Sequence, residues 1–413
     1  SRAQSTTLST SVFLWGAQLE QRDAVTAYTP TTTQPVTNYT PTLLTAPADT
    51  ARFDHDPVTG ESLGLLIEEQ RTNLFTYSED FSDAIWVKLA AAITANSLVA
   101  PDGTLTASRF QETVDVNRHN IRQTVTASYS SGSTYTLTLF IKSGSSDEVL
   151  LYCQSTAFSF GRAQYNLSTL TVTEIGADAS ITDVGNGWRK LTLKVTATST
   201  GTSIVFSIGR NDIFQAGDPS QDFYIWGAQL EAAASPTSYI KTEASQVTRS
   251  ADSASMTGSN FSDWYRQDEG SFFVDYQLGQ KLGAIRTFSV SDGTVNNYID
   301  IIAGPGAASA TTAGSYLFGA SNGVTEIGTN GGAITNVANE RRLFAGAYKV
   351  NDYASCNNGG TIGADTSASV PVVDRLYFSN VNNSPSALIN GHIRKMSYYP
   401  ARLTDTQLQA LTS

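Results

Sequence analysis

The sequence predicts an all-β chain, with two antiparallel β-sandwich (jelly-roll) domains in tandem and a short C-terminal helix. Three observations carry this. Short runs of alternating apolar and polar residues recur from residue 74 onward, separated by turn signals and without a helical period between them. The 413 residues exceed what one hydrophobic core organises, which favours two to three domains. Charged residues are only 15% of the chain and aromatic residues 10%, a balance too apolar for disorder, with hydroxyl and amide side chains supplying much of the polarity.

Taken in order, the first element is half of an internal repeat. Trp15-Gly16-Ala17-Gln18-Leu19-Glu20 recurs as Trp226-Gly227-Ala228-Gln229-Leu230-Glu231. The register then continues without a gap: Thr26 matches Thr237, Tyr28 matches Tyr239, Thr31 matches Thr242, and Val36-Thr37 matches Val247-Thr248. Each copy follows an apolar run, Val12-Phe13-Leu14 or Phe223-Tyr224-Ile225, and reads as a last core strand leading into a polar linker. The second copy has a whole domain before it. Residues 1–28 therefore read as the last strand of a preceding module, and residues 11–20 as an orphan strand that needs a partner. Residues 29–73 read as a Pro/Thr-rich linker, with Pro30, Pro35, Pro41, Pro47 and Pro57, ending in a connector strand at Leu63–Glu68.

Residues 74–242 read as the first complete sandwich. Alternation is clear in Tyr135–Ile141 and in Leu191–Thr196, and turns are marked by Pro101-Asp102-Gly103, Ser131-Gly132 and Gly185-Asn186-Gly187. Residues 243–413 repeat the style with more glycine, and Phe272–Tyr276 and Arg375–Phe378 read as strands. The one convincing helix is the last. Thr404 with Gln407 three residues on makes a capping box, and Leu403, Leu408 and Leu411 face the sandwich.

The formal net charge of −11 opposes phosphate backbones, and no basic run interleaved with aromatics is present, which argues against nucleic acid as a partner. No stretch approaches the roughly 20 apolar residues of a membrane-spanning helix. The N-terminus lacks both an initiator Met and the pattern of a signal peptide, so the chain reads as a fragment or a processed product. Cys153 and Cys356 fall in different domains and read as buried free thiols. His55, His119 and His392 lie far apart, without metal-ligand spacing. No E-x-D strand motif of the kind that carries glycanase carboxylates occurs. Gly319-Ala320-Ser321-Asn322-Gly323 fits a nucleophile elbow, with Asp374 and His392 following in order, but its surroundings lack the strand-to-helix turn that such an elbow requires.

Several motifs carry a resemblance. Ser62–Leu74 resembles a connector of bacteriophage tail-fibre and head-spike proteins. Asn73-Leu74-Phe75 through Phe81-Ser82 and Trp86 is similar to the entry of a carbohydrate-binding jelly roll in those proteins, and Gly187–Leu191 and the Trp226 repeat resemble its later strands. Val247–Asp252 resembles the joint to a following module. The last third is similar to concanavalin A-like, laminin-G-like lectin domains through Glu269–Phe272, Ala345–Tyr348, Gly391–Lys395 and Leu403–Asp405.

The resemblance implies a non-enzymatic protein on a virion surface, with host cell-surface polysaccharide and other virion proteins as partners. It leaves a homo-oligomer open, and no heptad repeat is present to drive a trimer. Two alternatives stand beside this: a structural spacer or decoration module, and a polysaccharide depolymerase. The resemblance also implies a structural calcium in the last strand of the jelly roll, but Trp226-Gly227 stands where its paired acids are expected, leaving only Asp222 as a substitute. No other cofactor is implied. Sugar recognition calls for flat aromatics beside amides, acids and arginine. Tyr152, Gln154, Arg162, Arg210 and Asn211 meet that description in the first sandwich, and Asn351, Asp352, Tyr353, Asn357 and Asn358 in the second. Trp188 and Trp226 read as core, and Asn357–Gly360 also fits a hairpin turn.

Overall fold

Alternation turns these runs into sheets. In the strand Thr134–Ser143, residues Tyr135, Leu137, Leu139 and Ile141 point to one buried core, and Leu191, Leu193 and Val195 of Trp188–Thr196 join them. The computed structural model describes residues 41–47, 49–158, 161–210, 214–279, 285–305, 313–333, 340–378 and 388–413. The first copy of the repeat, including the orphan strand expected at 11–20, lies outside the described residues.

The first sandwich packs two six-stranded antiparallel sheets. One runs in the order Thr171–Ile175, Arg162–Asn166, Glu148–Cys153, Gly201–Gly209, Asn120–Tyr129, Val87–Leu89. The other runs Asp178–Asp183, Trp188–Thr196, Thr134–Ser143, Asp222–Glu231, Ala107–Glu112, Ala91–Leu98. Ile121, Leu151, Tyr165 and Phe206 of the first sheet meet Phe110, Leu139, Leu193 and Ile225 of the second. Trp188 and Trp226 are buried as expected, in a smaller cluster with Phe140 on the outer face of the second sheet. Gly227 explains itself here: its φ of 65° belongs to an irregularity where Asp222–Glu231 slips register against Thr134–Ser143.

The second sandwich packs a seven-stranded sheet, with Phe272, Val274, Tyr276 and Phe344, on a six-stranded one, with Phe288, Val290, Ile299, Ile301 and Leu376. All its pairings are antiparallel too, so the chain is all-β. The C-terminal helix Asp405–Leu411 has the expected reciprocal capping box between Thr404 and Gln407. Leu408, with Leu403 and Leu411, packs on Phe273 and Ala345, outside the seven-stranded sheet. Its only helical company among the described residues is Ser259–Ser262 and a single 3₁₀ turn at Thr156–Phe158.

The seven-stranded sheet contains a strand from far away in sequence. Ser62–Ile67 lies between Phe53–His55 and Gly391–Tyr399, pairing Leu65 with Ile393 and Ile67 with Gly391. The chain thus contributes to the second sandwich before it builds the first. Arg71–Asn73 then pairs with Val247–Arg249, so the chain enters and leaves the first sandwich side by side. Asn73 anchors that entry: its amide donates to the carbonyls of Ala228 and Ile240 and accepts from the backbone of Phe75 and Leu230.

An ionic cluster closes the joint. Glu68 Oε2 lies 2.7 Å from both Arg52 Nη1 and Arg249 Nη1, and its Oε1 accepts from Ser238 N at 2.7 Å. Asp252 receives Arg52 and the Glu68 backbone, while Asn390 exchanges two hydrogen bonds with Glu69. Burial opposes ionisation of Glu68, but Arg249 and Arg52 outweigh it and hold the carboxyl below its ordinary value.

Candidate functional site

The outer face of the first sandwich's first sheet brings candidate residues together by register. Ile121, Gln123 and Val125 point inward along one strand, which turns Asn120 and Arg122 outward. Likewise Ile204, Phe206 and Ile208 point in, and Ser207 out; Leu151 and Cys153 point in, and Tyr152 out. Pairing then lines up one row across all six strands: Val87, Arg122, Ser207, Tyr152, Arg162 and Ile175. A neighbouring row holds Leu89, Asn120, Gly209, Leu150, Gln164 and Thr173.

Three expected residues therefore share this face. Gln154 lies just beyond Tyr152, takes Arg122 Nη1 on its Oε1 at 3.1 Å, and donates from Nε2 to the Tyr152 hydroxyl at 2.9 Å. Arg162 is half-buried at the other side of Tyr152. Tyr152 departs from an open stacking platform, since only 8% of it is exposed. Arg210 is committed elsewhere, its Nε 2.8 Å from Glu112 Oε1, and Asn211 lies outside the described residues.

The sequence reading passed over Asn120, Arg122 and Ser207. Asn120 and Ser207 are fully buried, yet both amide atoms of Asn120 and the Ser207 hydroxyl have no hydrogen-bond partner. Their burial places these three atoms beneath the face, out of a ligand's reach, and the polar side chains of the face that remain partly accessible are Arg122, Gln154 and Arg162. The alternation of Ile121-Arg122-Gln123-Thr124-Val125 gave Arg122 away in principle. Phe214 is the other omission. It is 66% exposed and directly precedes Gln215, whose partner Asn117 leads into the Asn120 strand, so an open ring stands at that end of the sheet.

The structure divides the second set of candidates between the core and the two ends of one strand. Tyr353 is fully buried in the sandwich core, with its hydroxyl 2.8 Å from Ser369 O, and cannot stack on a sugar. That burial means that Tyr353→Ala empties a core position. Asn351 turns the chain with φ 54°, and Asp352 pairs with Arg402 at 2.8 Å. Asn357 is 4% exposed, and Asn358, at φ 44°, caps the far turn by accepting from Leu343 N. The two pairs flank the strand Tyr353–Asn357, whose ends stand on the order of 14 Å apart at 3.4 Å per residue.

Asp222 does not suit calcium. Its carboxylate holds Arg109, whose Nε lies at 2.5 Å, and accepts Ser145 N at 2.7 Å. Burial would raise its pKa, but the Ser145 backbone and Arg109 hold it below the ordinary value. Among the described residues no three His, Cys, Asp or Glu converge as ligands. The serine-hydrolase motif dissolves as well. Ser321 ends a strand that turns through Asn322 and Gly323 directly into an antiparallel neighbour, while Asp374 pairs with Arg375 and His392 with Asp54. Both cysteines are buried free thiols, and burial pushes Cys153 up to about 12.

No family model and no curated protein matches the chain. Among solved structures, the carbohydrate-binding module CBM40 of the Ruminococcus gnavus IT-sialidase, bound to α2,6-sialyllactose, is similar over 36% of this chain and 84% of that one, at 14% identity and a TM-score of 0.30. Domains LG4-5 of the mouse laminin α1 chain are similar over 76% and 92%, at 13% identity and a TM-score of 0.26. The NanB sialidase of Streptococcus pneumoniae is similar over 39% of this chain, at 12% identity and a TM-score of 0.31. The matched region spans about a quarter of that sialidase, 27% of its length. At these identities and scores, none of the three bears on activity.

Proposed function

We propose that this chain is a glycan-binding protein of a bacteriophage or phage-like particle, carried on a fibre or spike at the virion surface, where the outer face around Arg122 holds host cell-surface polysaccharide. The observation that carries the binding reading is the row of Arg122, Tyr152 and Arg162, with Gln154 bonded to both Arg122 and Tyr152. Hydroxyl-rich ligands are the natural complement of such a face, because they supply donors and acceptors together. The particle context rests on the resemblance of Ser62–Leu74 and Val247–Asp252 to fibre and spike connectors, and makes other virion proteins its second class of partner. The activity is binding and not bond cleavage.

Each sugar hydrogen bond replaces one to water and nets only about 1 kcal/mol. A single face then binds near millimolar, roughly −4 kcal/mol, and attachment draws on many copies per particle. The architectural spacer is the second reading, favoured by the ionic joint that couples the two sandwiches. A glycan array on the full chain followed by calorimetry separates these. We expect millimolar binding that Gln154→Ala weakens about fivefold, the equivalent of one hydrogen bond. Binding untouched by that substitution moves the site off this face, absence of any glycan binding favours the spacer, and release of new reducing ends replaces a lectin by a depolymerase.

A further inference from the structure

Resting on the reading of the Arg122 face as a sugar site, we infer that the sugar it takes is acidic, with a carboxylate that seats against Arg122. The first support is an unmatched charge. Arg122 is half-buried, and the one partner of its guanidinium among the described residues is the neutral amide oxygen of Gln154. Other arginines of the same sandwich are matched to carboxylates: Arg109 to Asp222, Arg189 to Asp183 and Arg210 to Glu112. A guanidinium presents five N–H donors in a planar fork shaped for a carboxylate, and partial burial without a counter-charge costs free energy that an incoming anion recovers.

The second support is what the neighbours do. Glu148 lies on the same face, two residues along the strand from Leu150, but its two oxygens are held by Asn166 Nδ2 at 2.6 Å and Gln164 Nε2 at 3.1 Å. It faces away from Arg122 in its bonding and leaves that charge open. Gln154 links Arg122 to Tyr152, taking one Arg122 N–H and donating to the tyrosine hydroxyl, while Ser207 on the strand between them is fully buried. A sugar carboxylate then takes the remaining donors of the Arg122 fork, and the ring's hydroxyls meet Gln154 beside it. The chain's net charge of −11 repels polyanions in general, so recognition of an acidic glycan has to be local, at a site built like this one.

The test uses the full chain and three probes, oligogalacturonate, hyaluronate and polysialic acid, each before and after chemical reduction of its carboxyl groups to neutral alcohols. We expect at least one acidic probe to bind tenfold or more tighter than its reduced form. Arg122→Gln should erase that ratio, and Arg122→Lys, which keeps the charge but loses the fork, should restore part of it. Gln154→Ala should weaken acidic and reduced forms alike. A thermal melt matching the wild type shows that each variant is folded. If acidic and reduced forms bind equally while Gln154→Ala weakens both, the sugar site stands and its acidic specificity falls. If the preference survives Arg122→Gln, the carboxylate is held elsewhere and the inference is overturned. If no probe binds in either form, both the inference and the glycan reading fail.

Discussion

Asp300 shows how much a single buried group can set. It sits fully buried on the strand Tyr298–Pro305, with Oδ2 2.6 Å from Arg286 Nε and Ser289 as a further hydrogen-bond partner. Burial pushes its carboxyl up to about 6, and Arg286 offsets this only in part. The folded chain therefore binds this proton more tightly than the unfolded one. The stability it contributes is complete below the ordinary carboxylate value and is lost as pH rises through about 6, a change of about 3 kcal/mol for two units. Denaturant unfolding of the wild type and Asp300→Asn at pH 4 and pH 7.5 should show the difference between them shift by that amount in the variant's favour; a constant difference would remove Asp300 as the titrating group. The same scale shows what the sequence could disclose. Arg122 was passed over although its own strand's alternation suffices to place it outward. Tyr353 was not legible. Its strand is buried on both faces, by the sandwich core on one side and the C-terminal helix on the other, so Tyr353, Ala354, Ser355 and Cys356 are all buried and alternation carries no information. The polar turn before it, Asn351-Asp352, made the ring look like part of a loop.

Elements were read well where they close locally. The last helix announced itself through Thr404, Gln407 and its leucines, because a capping box is a contact within four residues. The joint was recognisable as a joint from Val247–Asp252, but its chemistry was not, since Glu68 meets Arg249, Ser238 and Asp252 only after some 170 or more residues have folded between them. Glu68 is the centre of that contact. Replacing it with Gln leaves Arg52 and Arg249, each about one-fifth exposed, without their shared counter-charge. With solvent screening part of the loss, we expect destabilisation of about 1–3 kcal/mol. Because the folded-state carboxyl is held below its unfolded value, the wild-type advantage is present at neutral pH and disappears as the solution is acidified through that lowered value. Thermal melts of wild type and Glu68→Gln at pH 7, with limited proteolysis across residues 240–254, measure it. Coincident melts and identical cleavage would show that the cluster does not hold the joint.

At the scale of the whole molecule, the order of the sequence and the order of the fold differ. Sequence patterning favours cutting the chain into consecutive modules, because each run of strands is counted where it occurs. Ser62–Ile67 defeats that bookkeeping: it is written before the first sandwich and hydrogen-bonded into the second. Its fit there is close. Gly64, at φ 91°, lies so near Ile393 and Arg394 that a Cβ would strike their backbone, and Ile67 belongs to the second sandwich's core at 2% exposure. A polypeptide of residues 243–413 alone therefore lacks a strand it needs. It loses the burial of Ile67, worth roughly 1.5–3 kcal/mol for one large aliphatic side chain. It also leaves Gly391–Tyr399 as a raw sheet edge open to pairing with other chains. We expect such a fragment to unfold at lower denaturant than the same sandwich within the full chain and to self-associate. A synthetic peptide of residues 50–70 should bind it and reverse both effects, whereas a peptide with Gly64→Val should not. Residues 71–249, which hold the first sandwich's twelve core-forming strands together with the Asn73 anchor and the strand pair at its entry, should fold alone without any such supplement. Sedimentation and denaturant unfolding of the two fragments, with and without peptide, decide the matter. A monomeric 243–413 fragment that is as stable as the full chain and indifferent to the peptide would mean that the shared strand adds nothing to the second sandwich.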